Sequence, residues 1–396
     1  MDSLNQILVV IEYLFLFVIG IQVLYFFVFS FGSLFKFKPL LNVTKDGVKN
    51  IIVVIIPGYK EDKIIIDTAR NSLIQDYPKD LYQVIICADS FAQHTIDELN
   101  TLDVTVMEVS FENSTKAKSV NKALELCSDS NPNIAVVLDS DNIMAPDFLV
   151  KMNQAYNQGL KVIQGHRTAK NQNTSFALLD AINEEIGNSI FRKGHRVWGV
   201  SSALIGSGMA FDYEYFKKIM SDIEDVAGED KLVELKVLKE KEPIEYIEDA
   251  YVYDEKVSNA QNFSKQRTRW VGVQIYFFKN YFWDGVKELF TKGNIDYFDK
   301  VFQMFLIPKV LLIGLMGFLG VLSIFTPLHE AWTNFMIIYF LSLLLAVPRR
   351  FYNKRLLVAV LNIPKAILFM VLGILKITKS TASKFEVTEK SVTSED

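Results

Sequence analysis

The sequence predicts an α/β domain with a mostly parallel sheet, joined to an α-helical transmembrane region. Three observations predict it. Short runs rich in Val and Ile recur in the middle of the chain. Stretches with an apolar helical stripe separate them. Long apolar segments lie near both ends, and these account for most of the excess that makes half of the 396 residues apolar, 30 Phe and 16 Tyr included.

The apolar ends come first. Residues 7–33, ILVVIEYLFLFVIGIQVLYFFVFSFGS, exceed the roughly 20 residues a bilayer crossing needs. A signal peptide fits poorly: the apolar run is too long, no basic stretch precedes it and no small-residue cleavage site follows. Segments 304–326, 331–348 and 356–376 read as three further spans, although Lys309 and Lys365 interrupt them. Lysines near span ends can snorkel, and one inside can face a partner helix. Met1 to Glu12 has no Lys or Arg, whereas Lys36, Lys38 and Lys45 follow the first span. The positive-inside rule then puts the N-terminus outside and residues 34 to about 300 in the cytoplasm. Four spans would leave Lys376, Lys379 and Lys384 outside, a conflict that one re-entrant or interfacial helix would remove.

Between the apolar ends, IIVVII (51–56), VIICA (84–88), VTVMEV (104–109) and IAVVL (134–138) suit strands buried on both faces. Helical stretches at 62–75, 92–100 and 117–127 alternate with them, the pattern of a parallel sheet covered by helices. Ligands of such sheets bind beyond the carboxyl ends of the strands. The loops there read PGYKED, ADSFAQ, ENSTKAKSVN and DSDN, and together they form a polar cleft suited to an anion and a cation. A net charge of −4 provides no basic field for nucleic acid. Cys87 and Cys127, both in apolar segments, read as buried thiols of a reducing compartment.

Asp139 and Asp141 close the fourth strand at i and i+2. Three readings are open for them. A hard divalent cation is often held by one or two carboxylates plus substrate phosphates. A haloacid-dehalogenase-type phosphatase also carries two aspartates after an apolar strand, but usually on its first strand. A solvated, capped turn is the bland reading. No G-x-x-x-x-G-K-[ST] occurs, and GSG at 206–208 lacks the third glycine of a dinucleotide fingerprint. Further on, Glu229 and Asp230 open a helix, where acids are favoured by the dipole whatever their role. Gln266, Arg269 and Trp270 share one helix face in SKQRTRWVGVQ, just before the apolar C-terminal region, where an interfacial helix is the alternative reading. His166 and His195 have no Cys or His at ligand spacing and read as structural.

An aspartate after the second strand, then D-x-D, E-D and Q-x-x-R-W in that order, resembles the membrane-embedded family 2 glycosyltransferases of the processive type, relatives of cellulose, chitin and hyaluronan synthases. The likeness covers roughly residues 50 to 275. It implies a GT-A fold that binds a nucleotide-diphospho sugar, expected to be a UDP-sugar. By that likeness Pro57, Tyr59 and Glu61 would flank the nucleotide, with Gly58 and Lys60 departing from the usual residues. Asp89 would face the base and Lys116 would lie near the nucleotide. Asp139 and Asp141 would hold Mg²⁺ or Mn²⁺, with Asp141 the more direct ligand. The mutual repulsion of this pair would be relieved when the cation arrives. Asp230 would be the general base of an inverting transfer, its pKa raised by Glu229. Gln266, Arg269 and Trp270 would close the cleft over diphosphate and acceptor, and Gly206, Ser207 and Gly208 would admit the acceptor's end.

The expected organisation is a transmembrane helix (1–34), a cytoplasmic GT-A domain (35–260), interfacial helices bearing Q-x-x-R-W (261–303), C-terminal transmembrane helices (304–376) and a polar tail (377–396). The expected activity is extension of a β-linked polysaccharide at a membrane of the bacterial inner-membrane type. The alternative is a single transfer to a lipid-linked acceptor. Membrane lipids and export or assembly partners are the expected associates.

Overall fold

The computed structural model describes residues 2–37, 47–225, 227–257 and 260–375. The expected polar tail at 377–396 lies outside them. An eight-stranded sheet forms the α/β domain, in the order β3-β2-β1-β4-β7-β6-β8-β5. Its first half is the predicted alternation: β1 (Ile52–Tyr59), α2 (Ile65–Ser72), β2 (Tyr82–Asp89), α3 (Gln93–Leu99), β3 (Thr105–Val109), α4 (Lys116–Leu126) and β4 (Ile134–Val137), following α1 (Asp2–Gly32). Pairings among these four strands are all parallel.

Successive residues of β1 serve opposite faces of the sheet, as the two-residue period of a strand requires. Val53 and Ile55 join the core around α4, whereas Ile52, Val54 and Ile56 join the core on the other face. Each such side chain contributes about 1.5–3 kcal/mol by leaving water. Both faces are covered, which accounts for the unbroken apolar run.

The second half turns the sheet mixed. It comprises β5 (Ile143–Met144), α5 (Phe148–Asn157), β6 (Val162–Ala169), α6 (Ser175–Asn188), a π-turn at Ser189–Gly194, α7 (His195–Val197), β7 (Met209–Asp212), α8 (Tyr213–Met220), α9 (Glu229–Lys239) and β8 (Glu245–Asp254). Strand β7 runs antiparallel to both β4 and β6, and β6 runs parallel to β8. A long helix α10 (Ala260–Lys292) and its partner α11 (Ile295–Phe305) follow. They are more than an interfacial layer, because Phe277, Tyr297, Val301 and Met304 complete the core around α4.

The apolar ends differ from the four expected spans. Two segments among the described residues are long and apolar enough to cross a membrane, Gln6–Gly32 and Lys354–Ile374, the latter made of α14 (Lys354–Leu361) and α15 (Ile363–Ile374). A third exists only if α11 and α12 (Lys309–Ser323), bent by 60°, are counted as one broken span. Leu306 to Pro308 make the break, and proline cannot continue the helix that precedes it. The expected span at 331–348 falls on α13 (His329–Ala346), whose first turn carries His329 and Glu330 and shortens its apolar stretch. Helix α13 still lies along α1: Glu12 accepts hydrogen bonds from Thr326 and Trp332, and a Cβ added at Gly20 would strike Phe335. The α/β domain sits at the carboxyl end of α1, where Phe29 touches Gly194 and stacks on His195 at 3.7 Å.

Candidate active site

Four loops meet at the carboxyl ends of β1, β2 and β4. After β1, Lys60 adopts φ +54°, and after β2 Ser90 adopts φ +58°, left-handed conformations that are uncommon for residues other than glycine. The two turns are tied together where Lys60 N donates to Asp89 O at 3.0 Å. Asp89 itself is buried and accepts from Ser90 Oγ. Pro57 and Tyr59 are the last residues of β1 on this edge, with Glu61 just beyond.

Lys116, the first residue of α4, reaches across to the end of β4. Its Nζ donates to Asp139 Oδ1 and to Gly206 O, each at 2.5 Å, and lies 4.0 Å from Glu229 Oε1. Arg167 Nη1 approaches the other Asp139 oxygen at 3.7 Å. Two resident cations therefore stand on Asp139. Asp141 is buried and accepts from Asn142 Nδ2 at 2.9 Å, and the same amide group donates to Asp254 at 2.9 Å. Ser207 Oγ completes the turn, donating to Asn142 Oδ1 and accepting from Asp139 N.

Glu229 and Asp230 begin α9 directly after Gly228, which sits at φ +83°. A side chain at Gly228 would be strained by that angle and would come within 2.7 Å of Val273 on α10. Gly206, at φ +85°, faces the Asp230 carboxylate across 3.6 Å measured from where its Cβ would be. Burial raises the Glu229 carboxyl, Lys116 opposes it, and Asp230 adds repulsion, so Glu229 stands above its ordinary value. Asp230 goes the other way: burial would raise it, but Lys231, Lys116 and Lys300 together hold it below the usual value. The expected upward push on Asp230 is thus outweighed by three lysines.

The Q-x-x-R-W segment lies on α10. Trp270 is 40% exposed, and the guanidinium of Arg267 stands 4.2 Å from its ring centroid. Arg267 also pairs with Asp180 of α6. Gln266 is half-buried and its Oε1 has no hydrogen-bond partner among the described residues. Arg269 is half-buried three residues further along. Residues outside the expected set therefore build much of the site's frame: Arg167 pairs with Glu184 at 2.6 Å, and Lys256 bridges Glu184 and Asp254. Arg167 stands in QGHRTA, inside a strand whose neighbours are buried, and nothing local in the sequence marks it for the site. His166 and His195 are both held in hydrogen bonds of the interior.

The donor set at Asp139 and Asp141 is all oxygen, suited to a hard cation completed by phosphate oxygens. No group of three or more His, Cys, Asp or Glu able to hold a metal occurs among the described residues. A cation here fits as one that arrives with a phosphate-bearing ligand.

A sheet of this order, with lysine, paired acids and a glycine turn at its carboxyl edge, defines an α/β enzyme that handles anionic ligands at the strand ends. The chain belongs to the glycosyltransferase-like family 2, whose model matches residues 49–273. No curated protein matches it in sequence. Among solved structures, it is similar to the mannosyltransferase PcManGT from Pyrobaculum calidifontis in complex with GDP-Man and Mn²⁺, at 15% identity and a TM-score of 0.51, covering 85% of this chain and 96% of that one. S. aureus TarS 1-349 is 16% identical over 82% of this chain and 90% of that one, with a TM-score of 0.39. Glucosyl-3-phosphoglycerate synthase from Mycobacterium tuberculosis, in complex with Mn²⁺, UDP and phosphoglyceric acid, is 15% identical over 54% and 78%, with a TM-score of 0.36. Of these three, the mannosyltransferase superposes closely enough to speak to the fold, and it supports a GT-A-like α/β domain.

Proposed function

We propose that the chain is a membrane-bound inverting glycosyltransferase that moves one sugar from a nucleotide-diphospho sugar to a hydroxyl of a lipid-linked acceptor. The observation that carries this reading is the Lys116 hub, which gathers Asp139, Gly206 and the Glu229–Asp230 pair at one edge of the sheet. Asp230 accepts the acceptor's proton on its carboxylate as the acceptor oxygen bonds to the anomeric carbon. The bond from that carbon to the diphosphate breaks on the opposite face, and the nucleoside diphosphate leaves with the electron pair. Asp230 lies in reach of such an acceptor where Gly206 offers no side chain. Lys116 and Arg167 provide positive charge beside the leaving group. Asp139 and Asp141 would hold Mg²⁺ or Mn²⁺, which neutralises charge developing on the diphosphate. Arg269 and Trp270 would contact diphosphate and acceptor from α10.

Two or three crossings form a small membrane region, which favours a lipid-linked acceptor over a polysaccharide drawn through a channel of the chain's own helices. Incubating the purified protein with a panel of UDP- and GDP-sugars, and sizing the product, tests this reading. A single lipid-soluble product whose formation stops with EDTA is expected. A ladder of sugar polymers would instead support a processive synthase, and transfer unaffected by EDTA would remove the metal from the account.

A further inference from the structure

The three acids of α6 are all matched. Asp180 pairs with Arg267, Glu184 with Arg167 and Lys256, and Glu185 with His166 and Arg350. Two cations beside them are left over. Arg192, in the π-turn, is 5% exposed, and its Nε has no hydrogen-bond partner among the described residues. Its Nη1 donates to Asn188 Oδ1 at 2.9 Å, a neutral group. Lys309 opens α12 and has no carboxylate within ion-pair distance among the described residues; the ring of Phe191 lies 5.3 Å from its Nζ.

Both cations approach the same residue of α6. A Cβ built on the buried Gly187 would lie 3.7 Å from Arg192 Nη1 and 3.8 Å from Lys309 Nζ, with nothing else within 4 Å outside its own helix. A charge with no carboxylate partner in a partly or wholly buried place is costly, so two of them beside Gly187 suit an anion. The amino end of α12, which has no side-chain cap, adds its positive dipole end beside Lys309.

The geometry points to a binding site for a phosphate or diphosphate group between Arg192, Lys309 and Gly187, belonging to a lipid-linked acceptor. Its place argues for the lipid. Lys309 lies where the chain bends from α11 into α12, and α12 goes on with exposed apolar residues such as Phe318 and Val321. It is also one hydrogen-bonded step from the catalytic cluster, because Asn188 Nδ2 donates to Arg167 O at 2.9 Å and Arg167 approaches Asp139. A headgroup held here leaves its sugar or hydroxyl end to reach toward Asp230. This site rests on the lipid-linked reading proposed above, and its test reads binding rather than transfer, so that either can fail without the other.

The experiment is calorimetric titration of the full chain in detergent with farnesyl phosphate, farnesol and inorganic phosphate, repeated in nanodiscs with and without phosphatidylglycerol. Farnesyl phosphate should bind more tightly than either farnesol or inorganic phosphate. Lys309→Met, which keeps the stem and removes the charge, should weaken it about tenfold, the scale of one lost charge-assisted contact. Gly187→Ala meets only ordinary contact distances and favours the helix, so it should fold and still weaken binding by placing a methyl against both cations. Equal affinity for inorganic phosphate would overturn the lipid assignment. Competition by phosphatidylglycerol at equal affinity would overturn the acceptor assignment. Unchanged binding in both variants would overturn the site.

Discussion

Lys116 and Asp139 form an ion pair of 2.5 Å across the carboxyl edge of the sheet, and the same ammonium holds the carbonyl of Gly206. The pair links the amino end of α4 to the D-x-D turn. On the proposed function, a cation brought by the donor would share Asp139 with a resident lysine. Lys116→Met should therefore lower nucleotide-diphosphate release by roughly a hundredfold or more, the cost of removing one charged stabiliser from a buried site. Steady-state release with a saturating sugar donor measures it, and near-normal turnover would remove Lys116 from the chemistry.

Asp230→Asn should cost about 10²- to 10⁴-fold in transfer, the usual worth of a general base. Because its neighbouring lysines hold Asp230 below the ordinary carboxylate range, the acid limb of kcat/KM should lie below that range and the profile should stay flat through neutral pH. Glu229, raised mainly by burial, should tolerate Glu229→Gln better. A profile that rises through neutral pH would point to a different base.

Arg267 and Asp180 lock the start of α10 onto α6, and the same guanidinium covers Trp270. Asp180→Asn removes one carboxylate from a buried guanidinium and should lower stability by up to about 3 kcal/mol. The double variant Asp180→Leu, Arg267→Met should recover most of that loss, since the buried cation is removed together with the carboxylate. Thermal unfolding of the three proteins distinguishes this from a packing defect, in which the double variant would be the worst.

Glu185 accepts from Thr168 and Arg350 and lies against His166. Burial pushes its carboxyl up, but those partners outweigh it and bring it from 4.5 to about 2. A depressed carboxylate stabilises the fold fully above its unfolded value and loses that contribution as pH falls toward about 2. The amount is on the order of 3 kcal/mol. Denaturant unfolding at neutral pH and at about pH 3 should show a steeper acid loss in the parent protein than in Glu185→Gln. Parallel slopes would mean that Glu185 is no acid-sensitive contact.

Much of the frame is legible before folding. The runs at 51–56, 84–88, 104–109 and 134–138 all become strands, because covered strands need apolar residues on both faces and few other contexts do. Asp139 and Asp141 could be marked because a pair of acids after such a run is costly unless used. Arg167 could not, since an arginine in a strand becomes meaningful only when Glu184 and Asp139 arrive from distant segments. Arg267 was hidden between Gln266 and Arg269 for the same reason. The four spans read from hydropathy differ from the two or three candidates among the described residues at the break ending in Pro308 and at the polar start of α13.

By itself the sequence determined the alternating α/β domain, the apolar ends and the family to which residues 49–273 belong, because periodicity and motif order are local properties of the chain. Only the tertiary structure decided which charges neutralise which. It placed Lys116 on Asp139, turned Asp230 down rather than up, and left Arg192 and Lys309 beside Gly187 without carboxylate partners among the described residues. Charge pairing depends on a few ångströms between residues far apart in the chain, and nothing short of the folded chain specifies those distances.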